Sequence, residues 1–196
     1  MAGVDLAFSC RCGTLKGVLH SVSPTTGSHV KCYCRDCQAA AHHLGAAEVL
    51  DQHGGTEIYQ TIPAEIELTE GAEKLACMRL SPKGLMRWYA SCCNSPLFNT
   101  LASAKLAFVG VHVRACDKNT EALGPLVAVV NTGCAIDPPE NLKNFGMRRA
   151  IWGFIRRNLG AKLRGRTENF FFDANRNPIV TPYVLTLEER RAATPK

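Results

Sequence analysis

Three cysteines stand within six residues of one another, at Cys32, Cys34 and Cys37, and this spacing constrains the chain more than any other feature. Thiolates are soft donors that hold Zn²⁺ at ~2.3 Å, and a tight backbone turn lets a C-x-C-x-x-C run present all three to one ion. Three protein ligands leave a fourth position, which is the arrangement of a reactive site; a structural site closes with a fourth protein donor. The spacing therefore predicts metal binding, with a catalytic and a structural reading both open. Seven further cysteines bear on that choice, because they include a second pair, Cys10 and Cys12 followed by Gly13, and an adjacent pair, Cys92 and Cys93. A two-cysteine knuckle supplies half of a tetrahedral site and needs partners downstream. One ligand from Cys92 and Cys93 is the simpler expectation, since two neighbours on one ion strain the backbone between them.

Ten cysteines in 196 residues would suggest a disulfide framework in a small secreted protein. The opening residues 1–9 carry Asp5, lack a basic start and build no long apolar run, so they do not read as a signal peptide. The expected setting is a reducing one, the cytoplasm, with cysteines that hold metal or do chemistry. No stretch approaches the ~20 apolar residues of a membrane-spanning helix, because Gly124, Pro125, Asn131 and Gly133 interrupt the most apolar region. Cys77, Cys116 and Cys134 stand singly in apolar or turn-like surroundings and read as bystanders.

Residues up to about 137 show short, β-like segments with closely spaced turn residues. Strands are expected at 15–21, 57–61, 66–69, 75–80, 85–89, 106–113 and 126–131, with a short helix in the Ala-rich 39–50. The Asp137-Pro138-Pro139 run ends this body. Beyond it, Ile151, Trp152, Ile155, Leu159 and Leu163 recur at helical spacing within 148–163. The fold class is mainly β with a C-terminal helical extension: residues 1–139 form the metal-binding domain and 140–196 an extension whose helix packs on the same body. Phe170, Phe171 and Phe172 and the segment 180–185 are expected to return as a strand, and 188–196 as a frayed charged tail.

Residues 148–166 hold seven basic side chains and no acidic one. Removing those seven from the formal net charge of +6 leaves sixteen basic against seventeen acidic residues, so the positive charge belongs to one segment. A basic amphipathic helix can lie on an anionic membrane, bind nucleic acid or dock an acidic partner. The expectation here is that the apolar stripe packs inward and the arginines form a solvated face, with nucleic-acid contact not favoured.

Cys10-x-Cys12-Gly13, Cys32-x-Cys34-x-x-Cys37-Gln38 and the aromatic segment ending in Cys93-x-Ser95-Pro96-Leu97-Phe98 together resemble the glutathione-dependent formaldehyde-activating enzyme and centromere protein V family, over residues 8–139. The resemblance implies an Mss4-like β-tent, a catalytic zinc at Cys32, Cys34 and Cys37, and a structural zinc held by Cys10, Cys12 and Cys93. It also implies reversible addition of a small thiol such as glutathione to formaldehyde, giving S-hydroxymethylglutathione, a carbon–sulfur lyase chemistry. The pattern departs where the family has the first cysteine of a C-x-x-C, since Ala90 stands there, and Asn94 replaces the following glycine. Either Cys92 substitutes, or the second zinc is weakened or lost; a one-residue step on an extended strand turns the side chain to the other face, which favours loss. His42 and His43 are candidate proton donors and Arg35 a candidate counter-ion to the thiolates or a carboxylate anchor, each with a solvent-facing alternative.

Overall fold

The computed structural model describes residues 3–117 and 120–195; Met1, Ala2 and Lys196, which belong to the opening and the tail considered above, lie outside it. The body is mainly β, as expected. Strands β1 (Val4–Ser9), β2 (Lys16–Val22) and β5 (Ile66–Glu70) form a three-stranded antiparallel sheet in the order β1-β2-β5. The larger sheet contains β3 (Ser28–Cys32), β4 (Thr56–Thr61), β6 (Leu75–Arg79), β7 (Met86–Ala90), β8 (Ser95–Thr100), β9 (Val109–His112), β10 (Ala128–Val130) and β11 (Tyr183–Val184). Its order is β10-β3-β4-β9-β8-β7-β6-β11, antiparallel except for the parallel edge pairs β10/β3 and β11/β6.

The main core lies on the face that carries Trp88, Phe98 and Val111, packed with Phe8, Leu15, Leu19 and Ile66 from the smaller sheet. Trp88 is wholly buried, its indole N–H donating to Thr100 Oγ1 at 2.9 Å. The other face is covered by α1 (Arg35–His43), whose Ala39, Ala40 and Ala41 pack with Leu44, Met78 and Leu80. Small alanines let this helix sit close to the sheet. With both faces covered, the central strands read as apolar runs, and a polar residue there must find a partner inside.

The C-terminal extension departs from expectation in three ways. Phe170, Phe171 and Phe172 form no strand: Phe171 is fully buried in the main core, its ring centroid 4.8 Å from that of Trp88 and 5.4 Å from that of Phe98. The expected frayed tail at 188–196 is, over its described residues, mostly helical, because α3 (Leu187–Ala193) starts at a capping box in which Thr186 and Glu189 satisfy each other's orphan amides. Ala193 and Leu185 then join the apolar group beneath α1, and Arg190 reaches Asp36 at 3.4 Å.

The third departure concerns α2 (Met147–Leu163). The helix forms over the expected residues and packs on the body, but with the opposite face inward. Ala150, Asn158 and Ala161 are buried, Phe154 stacks edge-on with Phe108 at 5.7 Å, and Asn158 Oδ1 accepts from the Ala107 amide at 2.8 Å. Ile151, Trp152, Ile155, Leu159 and Leu163, expected to pack inward, face solvent. The inward face is the small-residue one because the β10–β3–β4 edge offers little depth: Gly153 comes so near Ser28 that an added Cβ would sit 2.9 Å from its hydroxyl oxygen.

Candidate metal centre

Each of the three clustered cysteines is held by a different local device. Cys32 ends β3, and its Sγ accepts from Asn131 Nδ2 at 3.4 Å. Cys34 is the N-cap of α1, its Sγ accepting from the Cys37 amide at 3.4 Å. A thiolate at a helix N-terminus is stabilised by the free amides and the positive end of the helix dipole. Cys37 lies in the first turn of α1 and points into the protein. The three Sγ atoms lie within 4.8 Å of one another.

Behind Cys37 the sheet presents a row of buried polar side chains. Arg87 is 6% exposed, and it directs Nη1 at Cys37 Sγ (3.9 Å) and at Asn99 Oδ1 (3.3 Å). Asn99 Nδ2 faces His112 Nε2 at 3.1 Å, and His112 Nδ1 lies 3.5 Å from Thr56 Oγ1. Register explains the row: Arg87 pairs with Asn99 across β7/β8, Asn99 with Gly110 across β8/β9, and His112 follows on the same face two residues on. Burial pushes His112 down to about 4, so its ring is neutral near pH 7. No carboxylate lies within ion-pair distance of Arg87 among the described residues. A buried guanidinium without an anion is costly, so its compensating charge is the thiolate of Cys37. Hydrogen bonds with Cys32 and Cys34 favour that thiolate most, the Arg87 charge adds to them, and together they hold Cys37 well below the usual thiol value.

The second group brings together Cys10, Cys12, Cys92 and Cys93, again within 4.8 Å. Cys10 Sγ is 3.5 Å from Cys12 and 3.7 Å from Cys92; Cys12 and Cys92 are 3.3 Å apart, and Cys92 and Cys93 3.9 Å. Donors at ~2.3 Å from a tetrahedral Zn²⁺ lie about 3.8 Å from each other, so this donor set fits the ion. Gly13, with φ +75°, makes the turn that carries Cys10 and Cys12. The Leu15 amide donates to Cys10 Sγ at 3.3 Å, and the Arg11 amide to Ser95 Oγ at 2.9 Å, tying this knuckle to the partner turn. Thr14, by hydroxyl and amide, pulls the exposed Cys12 thiol down to about 6, with smaller help from Cys92 and Cys10.

Cys92 therefore enters the group, contrary to the expectation that one step along the chain would turn it away. The alternation argument holds only on an extended strand, and β7 ends at Ala90. Residues 91–94 are a turn closed by Asn94 at φ +56°, the left-handed conformation that asparagine tolerates, and in it neighbouring side chains converge. Cys77, Cys116 and Cys134 fall in neither group. Arg35 and His42 are exposed and His43 half-buried, so the cation beside the thiolates is Arg87, which the sequence reading passed over. Its signal was a lone charge in an otherwise apolar strand between two other strands.

A family model matches residues 2–146. The chain belongs to DUF6151, a family of unknown function. No curated protein matches this DUF6151 chain. A crystal structure of a Rhodobacter sphaeroides protein, a structural-genomics target, is similar at a TM-score of 0.41 and 14% identity, over 61% of this chain and 96% of that one. Among the described residues of this DUF6151 member no helix is long and apolar enough to cross a membrane.

Proposed function

We propose that this protein is a zinc-dependent, carbon–sulfur lyase-like enzyme acting on the adduct of a small thiol with an aldehyde, of which S-hydroxymethylglutathione is the reference case. The observation that carries the reading is the difference between the two thiol groups. Cys10, Cys12, Cys92 and Cys93 offer four donors, a complete tetrahedron, whereas Cys32, Cys34 and Cys37 offer three, with the buried cation Arg87 behind Cys37. The substrate class comes from the motif resemblance.

Zinc bound by Cys32, Cys34 and Cys37 would supply a Lewis acid able to lower the pKa of an incoming thiol or polarise an aldehyde oxygen. The chain's own residues set the charge and direction of access. Three thiolates around a divalent cation leave a charge of −1, which Arg87 balances inside the protein. The hollow beside Cys37, lined by Leu44, Trp88, Phe98 and Asn99, holds only about 10 Å³, too little for a substrate. A small thiol therefore approaches from the half-buried side, where Cys32 and Cys34 lie and Asn131 orients Cys32. In the forward direction the thiol sulfur bonds to the carbonyl carbon and the thiol proton ends on the carbonyl oxygen; the reverse breaks the same bond. His112 is neutral and engaged by Asn99 and Thr56, so this proton exchanges with water on the open side.

The test is to purify the chain, establish its metal content, and follow exchange between glutathione, formaldehyde and their adduct by NMR. Acceleration that disappears in Cys34→Ser but survives in Cys116→Ser supports the reading. A metallated protein that leaves the protein-free rate unchanged overturns it, in favour of a non-catalytic zinc scaffold.

A further inference from the structure

The outward face of α2 is exposed, apolar and flanked by basic side chains. Trp152 is 67% exposed and Leu163 79%, and Ile151, Ile155 and Leu159 continue the stripe between them. At 100° per residue these five side chains occupy one side of the helix. Arg149 and Arg156 follow one edge of the stripe, Lys162 lies near the other, and Arg148 stands at its N-terminal end. No acidic residue occurs anywhere in α2.

Along the Arg156 edge the helix borders a cleft of about 390 Å³ lined by Arg156, Arg157, Arg164 and Arg166. The Glu65 carboxylate also lines it, bonded to Arg166 at 2.7 Å, so four guanidinium groups face one carboxylate and three charges are left over. Arg157 places Nη1 on Ser28 Oγ at 2.8 Å, while its Nη2, buried in the same region, has no partner. The cleft lies by Ser28 and Thr61, at the opposite end of the β3/β4 pair from Cys32 and Thr56, and so is separate from the thiol site.

We infer that α2 is a docking surface for an anionic phospholipid bilayer, with the apolar stripe entering the acyl boundary and a headgroup phosphate held in the arginine cleft. An apolar stripe needs an apolar partner, and its basic margins need a negative one; an anionic membrane supplies both in the required layers. A second copy of this chain would set basic margin against basic margin, with no acidic residue in α2 and only Glu65, already engaged by Arg166, beside it. A nucleic acid would satisfy the arginines and leave the stripe in water. This inference does not rest on the proposed thiol chemistry.

Trp152 provides a direct readout, because Trp88, the only other tryptophan, is fully buried. The full-length protein is titrated with vesicles of phosphatidylcholine containing about 30% phosphatidylserine, and with phosphatidylcholine alone, at low and high salt. Anionic vesicles should shift tryptophan emission to the blue and sediment the protein at least tenfold more tightly than neutral ones, with binding weakened by salt. Trp152→Ser with Leu159→Ser, both exposed positions, should abolish sedimentation while circular dichroism stays unchanged. Arg149→Glu and Arg164→Glu should each weaken it about fivefold. No sedimentation at low salt overturns the inference, as does binding that the stripe variant retains. Retention on polyglutamate or inorganic phosphate without vesicle binding also overturns it, in favour of an acidic protein or a free phosphate ligand.

Discussion

Arg87 and Cys37 form a buried cation–thiolate contact, Nη1 to Sγ at 3.9 Å, and among the described residues no carboxylate lies within ion-pair distance of Arg87. The pairing ties the electrostatics of the sheet to the occupancy of the cysteine cluster. Arg87→Gln keeps a donor near Cys37 but removes the charge. Because partners that support ligands typically contribute 10–100-fold in metal affinity, the variant should lose metal from one site about that much more readily to a chelator, with Arg87→Lys intermediate. Unchanged retention in a folded Arg87→Gln protein would show that the thiolates do not depend on this cation.

The four-thiol group should hold its own ion. Wild-type protein purified with zinc is expected to contain about two ions per chain, and Cys92→Ser about one, because the change leaves three donors split between two turns and opens the exposed side of the group to water. Cys77→Ser serves as the control, lying outside both groups. Atomic emission analysis decides this directly; two ions retained in Cys92→Ser would return the ligand role to Cys93 alone.

The reach of the C-terminal extension into the core can be measured by Phe171→Ala. Removing a fully buried ring that packs on Trp88 and Phe98 should cost about 3–5 kcal/mol in urea unfolding, and Phe171→Leu markedly less. Leu163→Ala, on the exposed stripe, should stay within about 0.5 kcal/mol of wild type.

Acid sensitivity has a specific source. Hydrogen bonding from His29, and then from Lys31, holds Glu57 down at about 2 against an ordinary 4.5. A carboxylate depressed in the folded state contributes stability that is present above its unfolded value and lost as pH falls through the folded one. The Glu57 contribution should therefore be complete above about pH 5 and fade toward pH 2. Glu57→Gln should flatten the pH dependence of the urea midpoint in that window, and an unchanged slope would contradict the assignment.

What was legible in the sequence was what is local. Cys32, Cys34 and Cys37 sit on a strand end and the first turn of one helix, so six consecutive residues define the cluster and the spacing alone reveals it. Arg87 reaches the cluster only through the register of β7, β8 and β9, which no short window contains. Cys92 escapes strand alternation because β7 ends at Ala90 and residues 91–94 form a turn, which brings its thiol beside Cys10 and Cys12. The helix of 147–163 was found from its period, but which face it buries depends on the shape of the β10–β3–β4 edge, which accepts Ala150 and Gly153 and has no depth for Trp152. The Thr186 and Glu189 capping box that starts α3 is a local signal, Thr-x-x-Glu, which the charge of the residues around it masks.

Phe171 also carries a lesson about inheritance. The family match ends at residue 146, yet a ring 25 positions later fills space between Trp88 and Phe98, and Arg190 from α3 touches Asp36 beside the cluster. A relative that lacked this tail would have to fill the vacated space with bulkier side chains on β7 and β8, the strands that also set Arg87 against Cys37. Substitutions at Trp88 and Phe98 should therefore track the presence or absence of the tail across relatives, and a cut at residue 146 should yield a protein that aggregates.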